Sequence, residues 1–213
     1  MIYDTPNIVK ETNRGLQTER IIDDMFKRRK VLLVGEINSE IVNSLAMQLL
    51  TLQNEDPAGE ITMYINSPGG QVSSGMALYD VMQTISSPIT TVCLGTAASM
   101  AAVLFAAGNK RLILPHGSVM IHDPLISGGV GGSALTIEAL GKDIMRTRQI
   151  IAETLAKHTG KTVDEILEKT SRDTYFYGNE AVEFGLADQI IESWKIEETK
   201  QGRAVKNIRK GAN

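Results

Sequence analysis

The chain has 213 residues, 42% of them hydrophobic and 22% charged, with a formal net charge of −3. Length and composition fit one globular domain with a real core, and the slightly acidic balance argues against nucleic acid as the main partner. A single cysteine, Cys93, precludes a disulfide framework within the chain, and the longest apolar run, Met100 to Ala107, is far short of the roughly 20 residues that span a membrane.

Residues 1–14 are polar, contain Pro6 and have no clear period, so they read as an arm with Ile8 and Val9 as anchors. The opening MIYDTPNIVKE lacks the basic region and apolar stretch of a secretory signal. With the lone cysteine, this gives the expectation of a reducing, cytoplasmic setting. Leu16 to Arg29 places Ile21, Ile22, Met25 and Phe26 at helical spacing, which predicts an amphipathic helix. Lys30 to Gly35 is a short buried strand. Ser39 to Gln53 is a second helix with Ser39 as its N-cap and Ile41, Val42, Leu45, Leu49 and Leu52 on its apolar face. A Pro57/Gly59 loop leads to a strand at Ile61 to Ile65.

Asn66 to Gly70 reads NSPGG, and a helical pattern follows through Met76, Ala77, Tyr79, Val81 and Met82. Paired glycines after a strand mark positive φ or close backbone approach. They serve either a plain connector or a backbone N–H aimed at a substrate oxyanion. Next, Ile89 to Leu94 is a β-branched run ending at Gly95, followed by a small-residue turn and the Ala-rich segment that Ser99 opens. Strand, tight turn and buried helix are predicted, with Ser99 at the helix N-terminus. A serine there is either an N-cap or a nucleophile placed where free N–H groups and the helix dipole favour negative charge. The run is not a G-x-S-x-G elbow, since Gly95 lies too far upstream.

Arg111 to Leu114 and Val119 to Ile121 are short strands, and His122 follows in MIHDP. At a strand end it is either a loop histidine bonded to backbone or a catalytic base. His116, His122 and His158 have no mutual spacing that fits a metal site. The Gly-rich segment 126–133 leads to a long helix, Ala134 to Thr159, with an apolar stripe of Ile137, Leu140, Ile144, Ile151 and Leu155 and a stop at Gly160. Such a helix either packs on its own domain or projects to meet another copy. Thr162 to Lys169 opens with a TVDE capping box. Asp173 sits in the polar-then-aromatic stretch 170–177. Asn179 to Phe184 is helical, Gly185 stops it, and Ala187 to Ile191 is a last strand. Residues 195–213 carry six Lys/Arg against two Glu, a net +4 tail beside −7 for the rest, expected to be disordered. Strands alternating with helices give an α/β fold with a parallel sheet and right-handed crossovers.

Four motifs in this order and spacing, NSPGG (66–70), GTAASMAA (95–102), VMIHDP (119–124) and SRDTYF with EAVEFGLAD (171–176, 180–188), resemble the proteolytic subunits of the Clp protease family. The resemblance runs from about Ile8 to Trp194. It implies a ClpP/crotonase-like spiral of ββα units with the long helix as a projecting handle. The implied domains are an arm at 1–14, a peptidase domain at 15–194 and the basic tail at 195–213. The implied activity is that of a serine endopeptidase, cleaving unfolded polypeptides inside a chamber of stacked heptameric rings fed by a hexameric AAA+ unfoldase. No cofactor, metal, nucleic acid or membrane is implied. By resemblance Ser99 is the nucleophile, His122 the general base and Asp173 its orienting partner, with the backbone N–H groups of Gly70 and Met100 as the oxyanion hole. Triads are recognised by roles, not chain order.

Several positions depart from the family pattern. Ser171 stands where an acidic residue is common, and Asp123 where Gln is common, which places another carboxylate near the base. The Gly-rich segment is longer than usual. Thr62 and Thr84 replace aromatics of the unfoldase-docking pocket, although Tyr64 is kept. Pro6 falls near the usual start of the mature chain. These departures keep two other readings in view: a regulatory or scaffold ring subunit paired with a second paralogue, and a crotonase-like acyl-CoA enzyme. The intact Ser, His and Asp set argues against the first, and nothing beyond the fold favours the second.

Overall fold

The structure is a computed structural model that describes residues 6–13, 15–126, 128–129 and 131–193. The expected tail at 195–213 lies outside the described residues. The chain opens with an antiparallel hairpin, β1 (Asn7–Thr12) and β2 (Gly15–Arg20), followed at once by α1 (Ile21–Lys27). The helix expected over Leu16 to Arg29 is therefore confined to Ile21–Lys27, half its length. Lys10 on β1 pairs with Glu19 on β2 (2.8 Å) and with Asp24 on α1, and Glu19 also pairs with Lys27. The strands exist through cross-strand pairing, which no period within one segment reports.

The remaining strands are β3 (Lys30–Val34), β4 (Ile61–Ser67), β5 (Ile89–Ala98), β6 (Lys110–Ile113), β7 (Ser118–Ile121), β8 (Thr174–Tyr177) and β9 (Gln189–Ile190). The helices are α2 (Ser39–Glu55), α3 (Val72–Thr84), α4 (Met100–Ala106), α5 (Ala134–Thr159), α6 (Val163–Thr170) and α7 (Gly178–Phe184). Strands β3-β4-β5-β6-β9 form a parallel row. Beyond the row, the second half of β5 pairs in parallel with β7, and β7 pairs antiparallel with β8. This mixed, mostly parallel sheet with covering helices is the α/β architecture expected of the Clp-like fold.

The strand β5 runs four residues past its expected end at Leu94, because its register on β4 shifts there: Ile65 opposes Cys93, but Ser67 opposes Ala97. Asn66 fills the irregularity, its Oδ1 accepting from the Thr96 N–H at 3.1 Å. A Cβ on Gly95 would lie 2.9 Å from that oxygen. The small residues 95–98 thus let one strand serve two ladders in succession, Thr90–Cys93 on β6 and Thr96–Ala98 on β7.

All of α4 is buried, as an all-round apolar segment requires. Asn38 rather than Ser39 caps α2, its Oδ1 accepting from the Ile41 N–H at 3.0 Å. The expected capping box at Thr162/Glu165 and the left-handed Gly160 stop are both present. In α5 only the C-terminal part is seated: Ile151, Ala152, Thr154 and Leu155 are buried, whereas residues 134–143 are all exposed. Of the expected stripe, Ile137 and Leu140 face outward. The helix stands off the body, as a handle does. Among the described residues no helix is long and apolar enough to cross a membrane.

Candidate active site

Strand β5 passes into α4 through a single residue, Ser99, with φ 55° and ψ −124°. Among the described residues only Arg29 and Ser99 are non-glycine with positive φ. For Ser99, outside the left-handed helical well, the conformation costs on the order of 1–3 kcal/mol. A sharp, strained strand-to-helix pivot thrusts the hydroxyl out of the backbone. The chain reaches this geometry without the G-x-S-x-G motif. Gly69 makes room for it: a Cβ there would lie 2.6 Å from the Ala98 carbonyl oxygen and 2.7 Å from Ser99 Cβ.

Ser99 occupies the N-cap position of α4, yet its side chain makes no cap hydrogen bond. Its Oγ lies 2.8 Å from His122 Nε2 instead. The geometry therefore removes the capping alternative that the sequence left open. His122 follows the last residue of β7, and the β5–β7 ladder pairs Ala97 with Val119 and Ala98 with Met120. The Ser99 N–H donates to the Met120 carbonyl at 2.8 Å. Two neighbouring parallel strands thus deliver serine and histidine side by side.

The third member arrives by the antiparallel ladder. Ile121 opposes Thr174, so Asp173 comes opposite His122 at the next step. Asp173 Oδ1 lies 3.2 Å from His122 Nδ1. The histidine side chain is 15% exposed and the aspartate 60%, so the pair sits at the protein surface with its imidazole inward. This arrangement assigns the Nδ1–H to Asp173 and leaves Nε2 free to accept from the serine hydroxyl.

The two expected N–H groups flank the elbow. Gly70 bridges Ile37, where Ile37 N–H donates to the Gly69 carbonyl (2.7 Å) and Gln71 N–H to the Ile37 carbonyl (2.9 Å). That pattern leaves the Gly70 N–H without an acceptor among the described residues. Met100 is the first residue of α4, where an N–H has no intrahelical acceptor. The Met100 side chain is buried over Gly75, whose added Cβ would come 2.2 Å from Met100 Cγ. Residue identity at 100 therefore matters for α3–α4 packing, beyond the backbone donor.

Beside Ser99 lies a small apolar cavity of about 20 Å³ walled by Val72, Met100, Val103, Ile121, Ile151 and Leu155. A larger groove of about 480 Å³, which shares Val72 and Pro124 with it, lies between the start of α3, residues 124–126 and the middle of α5.

Asp123 does not approach the imidazole, contrary to the expectation of a second carboxylate near the base. Its Oδ2 accepts from Arg148 Nε at 2.6 Å and its Oδ1 from Thr170 Oγ1 at 2.7 Å. Adjacent side chains on extended backbone point to opposite sides, so His122 facing Ser99 turns Asp123 away. Arg148 and Thr170 carried no sequence signal beyond a charged helix position and a helix end.

The other titratable groups stand apart from this site. Burial pushes the His158 imidazole down to about 4, helped by the charges of Lys157 and Arg111. Its Nε2 lies 3.0 Å from the Tyr79 hydroxyl. Burial pushes the Cys93 thiol up to about 11. Among the described residues no group of three His, Cys, Asp or Glu side chains could hold a metal ion.

A half-buried serine hydroxyl, an imidazole in contact with it and a carboxylate behind the imidazole can together perform acyl transfer. Compared with known families, residues 13–194 match the family described as Clp protease.

Proposed function

The chain belongs to the Clp protease family and is a peptidase, and from that premise we propose that it is a serine endopeptidase with Ser99, His122 and Asp173 as its catalytic residues. The observation that carries this reading is the 2.8 Å contact of Ser99 Oγ with His122 Nε2, continued by Asp173 at 3.2 Å from Nδ1. Ser99 Oγ attacks the scissile carbonyl carbon while its proton passes to Nε2. The carbonyl π electrons move to oxygen, and the N–H groups of Gly70 and Met100 receive that oxyanion. The imidazolium, held by Asp173, then protonates the leaving amine and the C–N bond breaks. Water, deprotonated by the same imidazole, cleaves the acyl ester and restores Ser99. The apolar wall beside Ser99 favours a hydrophobic side chain next to the scissile bond, and the larger groove carries the neighbouring residues of an extended, unfolded chain.

The same reading extends to assembly. The exposed Leu135, Ile137 and Leu140 on the free half of α5 suit contact with a second copy across stacked heptameric rings. An AAA+ unfoldase supplies unfolded substrate to the enclosed chamber. Ser99 hydrogen-bonded to His122, with Asp173 beside the far imidazole nitrogen, favours this over an inert scaffold subunit, which needs no such geometry.

A fluorophosphonate probe tests the chemistry directly. The expected result is one label per protomer at Ser99, with parallel loss of hydrolysis of a short fluorogenic peptide. Labelling elsewhere, or turnover that survives Ser99→Ala, sinks the assignment.

A further inference from the structure

The residue after the base ties three elements together. The Asp123 N–H donates to the Thr170 carbonyl at 2.8 Å, and its carboxylate receives Thr170 Oγ1 at 2.7 Å and Arg148 Nε at 2.6 Å. Arg148 reaches on to the Leu167 carbonyl at 3.3 Å. Thr170 is buried at the end of α6. Thr174 Oγ1 donates to the Lys169 carbonyl at 2.7 Å, which closes residues 169–174 into a compact loop. Asp173 lies within that loop, and among the described residues His122 is the only partner of its carboxylate. Arg148 lies on α5 just before its buried stretch at Ile151, where the helix leaves the body.

We propose that Asp123, Thr170 and Arg148 act as a positioning clamp that sets the His122–Asp173 geometry and makes it depend on how α5 is seated. This rests on the serine-peptidase reading above. Asp123 is covalently next to the base, and Thr170 is in the loop that carries the orienting carboxylate. Holding the two together fixes imidazole and carboxylate relative to each other, although neither clamp side chain touches the reacting atoms. Asp173 is exposed and its carboxylate has no second partner among the described residues, so its place at Nδ1 depends on the β7–β8 ladder and on the loop that the clamp holds. The third arm makes the handle part of the site. If α5 tilts on its buried end, Arg148 leaves Asp123 and the carboxylate loses its charge-assisted bond, which is about twice as strong as a neutral one. Both oxygens of Asp123 are engaged by these donors, so it acts through position and not as a second base.

The test uses the full-length protein and compares Thr170→Val with Thr170→Ser, alongside Asp123→Asn, Arg148→Gln and the Asp123→Asn/Arg148→Gln double variant. Peptide hydrolysis and the rate of fluorophosphonate labelling at Ser99 are measured on the fraction that sediments like the parent. Misplacement by about 1 Å costs on the order of 10²-fold, so Thr170→Val is expected to lower kcat by about 10- to 100-fold with KM nearly unchanged. The labelling rate falls in step. Thr170→Ser, which keeps the hydroxyl, retains kcat. The double variant falls no further than the worse single one, as members of one clamp must. Arg148→Gln changes a half-buried side chain outside the core and carries the same test if Thr170→Val does not fold. Parental kcat in Thr170→Val and Arg148→Gln, or a loss traced wholly to smaller particles, overturns the clamp while leaving the peptidase reading intact. A parent that neither cleaves nor labels at Ser99 overturns both.

Discussion

The backbone at Ser99 separates a nucleophile from a cap by its energetics. A capping serine contributes about 1 kcal/mol through its side chain. Ser99 makes no such bond and sits instead at φ 55°, ψ −124°. Ser99→Gly lets the backbone occupy that region freely, relieving on the order of 1–3 kcal/mol of strain against the roughly 0.5–1 kcal/mol entropic cost of glycine. Both Ser99→Ala and Ser99→Gly are therefore expected to be inactive, with the glycine variant at least as stable as the alanine variant in urea unfolding. A glycine variant less stable by more than about 1 kcal/mol would show that the elbow is unstrained. At Gly70 the geometry is tighter still. A Cβ there would come 2.2 Å from the Ile37 carbonyl oxygen at a φ of 149°. Gly70→Ala must move the N–H, and loss of one oxyanion donor costs about 10²–10³ in kcat. Hydrolysis near the parental rate in this variant would remove Gly70 from the oxyanion hole. Motif order picked out Ser99, His122 and Asp173, which the structure brings side by side, and it picked out Gly70 and Met100 for their backbone N–H groups. The direction of Asp123 was not legible, since adjacency in the chain says nothing about which face of the backbone a side chain leaves.

At the level of elements, what could be read was what a segment specifies alone. The capping box of α6, the glycine stops of α5 and α7 and the all-apolar α4 are local. The hairpin β1–β2 and the continuation of β5 to Ala98 are not, because both depend on a partner strand distant in sequence or on a register shift. The same contrast governs the junction of α5 with α3. Tyr79 on α3 receives Lys157 Nζ at 3.3 Å and lies 3.0 Å from His158 Nε2. Burial first, then Lys157 and Arg111, hold the imidazole neutral down to about 4, against an ordinary value of 6.5. The folded state thus binds the proton less readily than the unfolded chain. The associated stability is complete above about 6.5 and is lost as pH falls toward 4. His158→Gln keeps an acceptor for the Tyr79 hydroxyl but does not titrate. Its urea midpoint is expected to change less between pH 7 and pH 5 than the parent's; equal changes would place the pH sensitivity elsewhere.

For the whole molecule, the proposed ring assembly would bring copies together through the free half of α5 and the loop around Ser171. Ser171 donates its hydroxyl to the Glu168 carbonyl at 2.6 Å and so is used inside its own helix end. Among the described residues no carboxylate pairs with Arg172. A contact between rings then leans on Leu135, Ile137 and Leu140, which are 77%, 48% and 39% exposed in the protomer. Burying a leucine side chain contributes about 1.5–3 kcal/mol, and burial, unlike an exposed ion pair, is not weakened by salt. Leu140→Asp is accordingly expected to split the assembly while leaving the protomer's circular dichroism and unfolding midpoint nearly unchanged, since Leu140 lies on the exposed half of α5 and outside the buried core. Ser171→Asp supplies Arg172 with a carboxylate and is expected to strengthen the particle at low salt, with the gain lost as salt rises. Sedimentation across a salt series, with peptidase activity measured on the same samples, reads both. If Leu140→Asp sediments as the parent does, α5 is not the contact. If Ser171→Asp changes nothing at low salt, the missing carboxylate is not what limits assembly, and the exposed apolar face of α5 accounts for the contact on its own.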